Sequence, residues 1–402
     1  MPSPLRPADR WSPPYFLSAL GAGGIAVTFF LWLYMWVPHP GQPVPIFEDV
    51  ARAFAAGQPL QQAMIVLAYL GLGVFAVQHL RLMVWNLRRF AAFRRSPSFA
   101  EVQGSSAGAG LFGLPLMLAM TVNVSFSASL AFVPGLWGVI EYLFPLALAV
   151  FALLAAITLR MMGQHIARLS VAGRFDMTRA GSFLQVQPAF ALGMIGVGMS
   201  APAALSASPA VAGLSLVLST FILVIALVWS AVAVVVGILA MLRHGVVAEQ
   251  IPTLMNIVPL MAVLGILSLR QTHGMHVHFG LHNTAGDDLW FLTALLAVQI
   301  AFLGLGLSVV KQHGYVARFV TSATPSPGAY GLVCPGIGFA VLMQFWINKA
   351  LVGAGLLAKF GAAYWALSAV VLAVQLAMIL LVLALNRRHF GLPREALAVP
   401  AA

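Results

Sequence analysis

Few side chains in this sequence carry chemistry, and they are clustered. Residues 271–288 read Gln-Thr-His-Gly-Met-His-Val-His-Phe-Gly-Leu-His-Asn-Thr-Ala-Gly-Asp-Asp. His273, His276, His278 and His282, with Asp287 and Asp288, offer imidazole and carboxylate groups of the kind that hold zinc or copper. Their spacing matches no closed tetrahedral pattern, and a polar loop capping a pore mouth is the competing reading. Cys334 is the single cysteine, which excludes an internal disulfide and any cysteine-based zinc site. It reads either as a small buried hydrophobe or as a soft, redox-capable group facing a permeant species. Arg270 and Lys349 end long apolar runs. A cation there either anchors a helix at a membrane interface or draws anions to an opening.

The rest of the chain says what must position these groups. Of 402 residues, 61% are hydrophobic and 8% charged, against about 25% charged in ordinary soluble domains. A water-exposed fold of this length cannot bury so much apolar surface. A spanning helix needs roughly 20 mostly apolar residues, and ten runs qualify: 15–37, 61–85, 109–132, 137–161, 182–205, 211–242, 251–270, 289–310, 329–349 and 360–385. The short alternating segments of a β-barrel are absent. The first run is too long for the core of a cleaved signal and leads into a Pro-rich stretch, so it is expected to be a retained helix.

The net charge of +11 would suggest nucleic acid in a soluble protein. Here the basic residues lie between apolar runs without interleaved aromatics, so no nucleic-acid partner is expected. With the N-terminus in the cytoplasm, the outer segments hold only Arg52, Arg270, Lys349 and Lys359. The other 17 of the 21 basic residues, including Arg174, Arg179 and Arg394, fall on the cytoplasmic side. This asymmetry predicts an even helix count with cytoplasmic N- and C-termini; the expected location is a bacterial inner membrane, crossed in multiple passes. The pairs Arg88-Arg89 and Arg94-Arg95 are placed to meet anionic lipid headgroups.

Very short links after the third and fifth runs make neighbouring helices antiparallel and predict five hairpins, 1–2 to 9–10. A weak repeat agrees. His79, His165, His244, His313 and His389 end successive even helices, either as comfortable interfacial residues or as a pH-responsive ring. Proline follows the same parity. Pro115, Pro188, Pro202, Pro252, Pro259 and Pro335 lie in odd helices and only Pro145 in an even one, which predicts kinked odd helices. Runs of small residues such as Gly21-Ala22-Gly23-Gly24 allow those helices to approach closely.

The expected fold is therefore all-α, with ten transmembrane helices in a quasi-fivefold ring and odd helices lining a central pore. Its polar lining candidates are Thr28, Thr121, Asn123, Ser125, Gln185, Gln187, Asn256, Cys334 and Gln344. No Asp, Glu, Lys or Arg falls mid-helix in an odd run. That disfavours ion-coupled transport and suits passive conduction, in which binding must be weak enough to release. No catalytic residue, cofactor or nucleotide motif is expected. A coupled oxyanion or dicarboxylate exporter is the alternative, with Glu141 or the histidines as its only titratable groups. A membrane redox protein, using histidine pairs or Cys334, is the third.

Pro14-Tyr15-Phe16 with Leu20-Gly21-Ala22-Gly23-Gly24, Phe183 through Pro188 to Gly193, and Pro252-Thr253-Leu254 with Pro259 together resemble the tellurite-resistance and dicarboxylate-transporter family. That family includes slow anion channels and sulfite efflux pumps, and the resemblance spans residues 13–385. It implies a homotrimer, anion selectivity and a phenylalanine plugging the pore from the ninth helix. Here Cys334-Pro335 stands where the family has aromatic-Pro, leaving Phe339 or Phe190 as candidate plugs. One branch of the family includes selenoproteins. Cys334 is the only cysteine to which a selenium residue could correspond, and such a site would suit sulfur- or selenium-containing anions.

Overall fold

The computed structural model describes residues 6–172, 181–322 and 325–391. Arg174, Arg179 and Arg394 lie outside them. Every regular element among the described residues is helical. Ten helices are long and apolar enough to cross a membrane: α1 (Pro13–Trp36), α2 (Pro59–Phe93), α3 (Ser106–Phe132), α4 (Leu136–Val171), α5 (Leu184–Leu205), α6 (Pro209–His244), α7 (Ala248–Phe279), α8 (Ala285–Gln312), α9 (Pro327–Leu351) and α10 (Ala362–Phe390). The protein is a multi-pass integral membrane protein.

The helices outrun the apolar runs at definite places. α2 continues to Phe93 because Phe90 and Phe93 pack on Trp11 and Arg89 donates to Asp9 at 2.9 Å. α7 continues to Phe279 and stops at Gly280, whose φ of +71° is the left-handed geometry that ends a helix. Hydropathy marks the thickness of the apolar layer, not the end of the hydrogen-bond ladder.

Burial separates the spans by parity. In the most apolar stretch of each odd span 61–94% of the residues are buried, against 17–33% in the even spans. Leu67, Val74, Phe221, Val228, Leu307 and Leu380 project outward from even spans. Large apolar side chains turned outward in this number are at home against lipid tails, not water. α1 packs against α3 and α9, α3 against α5, α5 against α7, and α7 against α9. Each even span packs against the odd span before it. The ends of the bundle can be named from one contact. Tyr15 at the start of α1 and His389 at the end of α10 share a 2.8 Å hydrogen bond, so the start of α1 and the end of α10 lie together at what we call the proximal end.

The odd spans share a second feature. Each begins, at the proximal end, with a 3-10 segment that passes into an α-helix: Pro13–Tyr15, Ser106–Phe112, Leu184–Val186, Ala248–Met255 and Pro327–Leu332. The α segments of α3, α5, α7 and α9 start at Gly113, Gln187, Ile257 and Val333. Pro115, Pro188, Pro259 and Pro335 therefore sit in the first α turn, at its second or third residue. This corrects the expectation of mid-helix kinks. The first N–H groups of an α-helix have no i−4 carbonyl to reach, so a proline there sacrifices no ladder bond and marks the change of helix type. One true break does occur. α5 is interrupted at Ser200, with Pro202 opening its last short helix.

Close approach between odd spans depends on glycine. A Cβ on Gly338 of α9 would lie 2.5 Å from Cα of Pro259 in α7, so no side chain fits there without moving backbone. Polar residues of even spans reach inward to brace these contacts. Gln299 donates to the carbonyls of Val258 at 2.7 Å and Gly338 at 3.2 Å. His79 bonds the Ala19 carbonyl and the Thr121 hydroxyl, each at 2.8 Å.

Candidate functional site

The odd spans position a cavity of ≈ 650 Å³. Its lower wall takes Leu20 and Gly24 from α1, Met120 and Asn123 from α3, Phe190 and Met194 from α5, Pro259 and Val263 from α7, and Cys334 and Ile337 from α9. Phe144 and Phe151 of α4 complete one side. The charged lining residues cluster at the distal end: Arg270, Lys349 and Lys359, with Asp288 as the one carboxylate among the described lining residues. His39, His273 and His276 also border the mouth.

The site owes its charge to specific local geometry. α5 breaks at Ser200, and Arg270 donates from Nη1 to the Val197 carbonyl at 2.6 Å. That bond pins the half-buried guanidinium at the cavity wall. A guanidinium carries five N–H donors, and among the described residues no carboxylate pairs with Arg270. Lys349 is exposed, with Nζ 6.0 Å from the ring centroid of Tyr34. Lys359, in the link between α9 and α10, is held below the ordinary lysine range by burial and then by the charge of Lys349. The carboxylates nearby are already engaged. Asp288 accepts from Asn283 at 2.9 Å. Glu141 accepts from Ser206 Oγ and the Ala207 N–H, both at 2.7 Å. It ties the α5–α6 link to α4 and does not border the cavity.

The proximal end is built differently. No residue of the five 3-10 segments borders the cavity. Those segments touch one another in the same order as the α segments above them. Gln185 donates to the Ser106 carbonyl at 2.8 Å. The Phe183 N–H donates to Thr253 Oγ1 at 3.1 Å, and Ser182 donates to Gln250 at 2.6 Å. Side chains of neighbouring spans thus tie these segments into a collar, and the cavity does not reach it.

The structure redistributes the residues expected to line a pore. Of the polar candidates, Asn123 borders the cavity, and its amide donates to the Met194 carbonyl at 3.2 Å. Cys334, Phe190, Arg270 and Lys349 border it as well. Thr28 instead bonds its own helix at the Ile25 carbonyl, and Thr121 faces His79. Ser125 is exposed and does not border the cavity. Gln187 is buried beside Gly113, and Asn256 donates to the Phe183 carbonyl. Gln344 accepts from Asn348, and Phe339 does not border the cavity. Ser127, His39 and Lys359 were missed. Only Lys359 left a sequence signal, as one of four basic residues counted at the distal side.

The four-histidine loop is also corrected. His273, His276 and His278 lie inside α7, and His282 lies beyond it. His276 bonds the Leu281 carbonyl at 2.8 Å and His278 the Ser206 carbonyl at 3.0 Å. The helix points these side chains in different directions, and no group of three or more His, Cys, Asp or Glu among the described residues is placed to hold a metal ion.

The fold and cavity define a helical membrane protein with a distal, basic-mouthed cavity. No family model, curated protein or solved structure matches the chain.

Proposed function

We propose that this protein is a channel or facilitator for small anions. The observation that carries the reading is Arg270. A half-buried guanidinium fixed at the wall of a cavity, with donors beyond the one used on Val197 and no carboxylate partner among the described residues, is suited to an anion. Lys349 and Lys359 raise the local anion concentration at the mouth. Below Arg270 the wall is neutral, so an anion meets no second strong site from which it must escape.

Three observations support an inner ring of five odd helices within five outer ones, arranged as hairpins. They are the parity of burial, the ordered contacts from α1 through α9 back to α1, and the five 3-10 segments. The basic asymmetry supports cytoplasmic termini, which makes the distal mouth the outer one in a bacterial inner membrane. The resemblance to the tellurite-resistance and dicarboxylate-transporter family agrees with the anion reading and is the sole source of the homotrimer. In this reading the proximal collar is the gate, and Phe190 and Cys334 stand at the cavity floor. No cofactor takes part.

A proximal end that the cavity does not reach also favours a second reading, a coupled exporter that alternates between outward and inward access. Both ring nitrogens of His79 are committed, to the Ala19 carbonyl and the Thr121 hydroxyl, which removes that histidine from the redox reading. Planar-bilayer currents of the purified protein with chloride, nitrate, sulfite and thiosulfate test the proposal. Selective anion current that falls in Arg270→Gln is the expected result. Silence in bilayers, with uptake only in proteoliposomes bearing an ion gradient, would replace the channel by the exporter.

A further inference from the structure

The cavity is much larger than a bare inorganic ion requires. Its ≈ 650 Å³ lies in the range, roughly 300–1,000 Å³, of pockets that enclose organic molecules. Its chemistry is also divided along its depth. Pro259 at the floor and Arg270 near the mouth are 11 residues apart on α7, which is about 16 Å of helix rise. Over that depth the polar side chains facing the cavity are few, and the amide of Asn123 gives one of its N–H groups to the Met194 carbonyl. Phe126, Phe144, Phe151, Phe190, Met194 and Ile337 are among the apolar lining of the cavity. A small anion can cross a chamber of this size with its water, but the wall offers few donors to hold it there. Methylene or aryl groups entering it would gain.

We infer that the cavity binds a monoanionic amphiphile, with a carboxylate or sulfonate head at Arg270 and an alkyl or aryl body in the chamber below. This rests on the anion reading of the same site and narrows it. The head would receive charge-assisted hydrogen bonds from the donors of Arg270 not used on Val197, with Lys349 and His273 beside it. The body would displace poorly bound water from the phenylalanine-lined wall. Binding then depends on two separable quantities, the charge of the head and the length of the tail.

Calorimetry on the protein in nanodiscs tests this with straight-chain carboxylates from acetate to decanoate, the matching sulfonates and the matching alcohols. Protein-free nanodiscs are subtracted to remove partition into lipid. Affinity should rise about fourfold per added methylene until the chamber is full. Alcohols should bind at least about tenfold more weakly than carboxylates of equal length. Arg270→Gln should erase the head-group preference and keep the chain-length slope, while Arg270→Lys should retain part of the preference. Phe190→Ala should move the plateau to longer chains, and this variant checks the chamber without touching the cation. Affinity independent of chain length, with Arg270-dependent anion currents intact, would overturn the amphiphile and leave the anion reading standing. Absence of both binding and current would bring down the anion reading itself.

Discussion

The two ends of this bundle solve opposite problems. At the distal end the odd spans part, and Arg270, Lys349 and Lys359 face a cavity with their charges uncompensated by carboxylates among the described residues. At the proximal end the same helices tighten into 3-10 segments, whose backbone groups are taken up by Gln185, Thr253 and their neighbours. One end is wide and electrostatically unfinished, and the other is narrow and internally satisfied. A ligand can supply what the distal end lacks, whereas the proximal end can open only by breaking bonds it already has.

The contrast can be tested by substitutions at each end and at the contact that joins them. The largest effect is expected from Gly338→Val, which drives a side chain into the backbone of Pro259. It should destabilise the fold by about 3 kcal/mol, read as a fall in melting temperature in detergent micelles or nanodiscs. Native stability would mean that α7 and α9 do not rely on this approach. Arg270→Gln follows, with a loss of about tenfold or more in anion flux, since a hydrogen bond to a charged group is worth roughly 1.5–3 kcal/mol. Unchanged flux would remove Arg270 from the path.

Thr253→Val tests the proximal collar by deleting the acceptor for the Phe183 N–H. Loss of one such bond, worth about 1 kcal/mol, should favour the open end and raise flux roughly fivefold. A decrease at normal stability would mean that the collar is not the gate. The smallest effect is expected at the mouth. Lys349→Gln with Lys359→Gln should lower flux about two- to threefold at low salt, and the difference should vanish near 1 M salt, where screening reaches about 3 Å. pH gives an independent check. The pKa of Lys359 lies below the ordinary lysine range, so raising pH discharges it before free lysines. Flux should therefore decline first in the alkaline range below the usual lysine pKa, and this step should be missing in Lys359→Gln.

Much of the architecture was legible in the chain. Ten apolar runs fixed ten spans, because the thickness of a membrane sets a minimum length for any helix that crosses it. The concentration of proline in odd runs separated two kinds of helix. Its meaning was misread: Pro115, Pro188, Pro259 and Pro335 are placed where a helix begins its α register. The sequence does not distinguish that from a kink, because both use the missing N–H. A polar segment rich in histidine reads as a loop, yet α7 runs through it until Gly280.

The lining of the cavity was decided by tertiary structure. Thr28, Thr121, Asn123 and Ser125 were equally good candidates by sequence, and only Asn123 faces the cavity. An inner helix that is apolar on every side carries no stripe to fix its rotation about its own axis. That rotation is set by contacts between distant residues, such as Gly338 against Pro259 and His79 against Thr121. Local sequence thus determined that this chain crosses a membrane ten times and which helices differ from the others. Packing alone decided which few polar groups are left for a ligand, because that depends on which neighbours satisfy the rest.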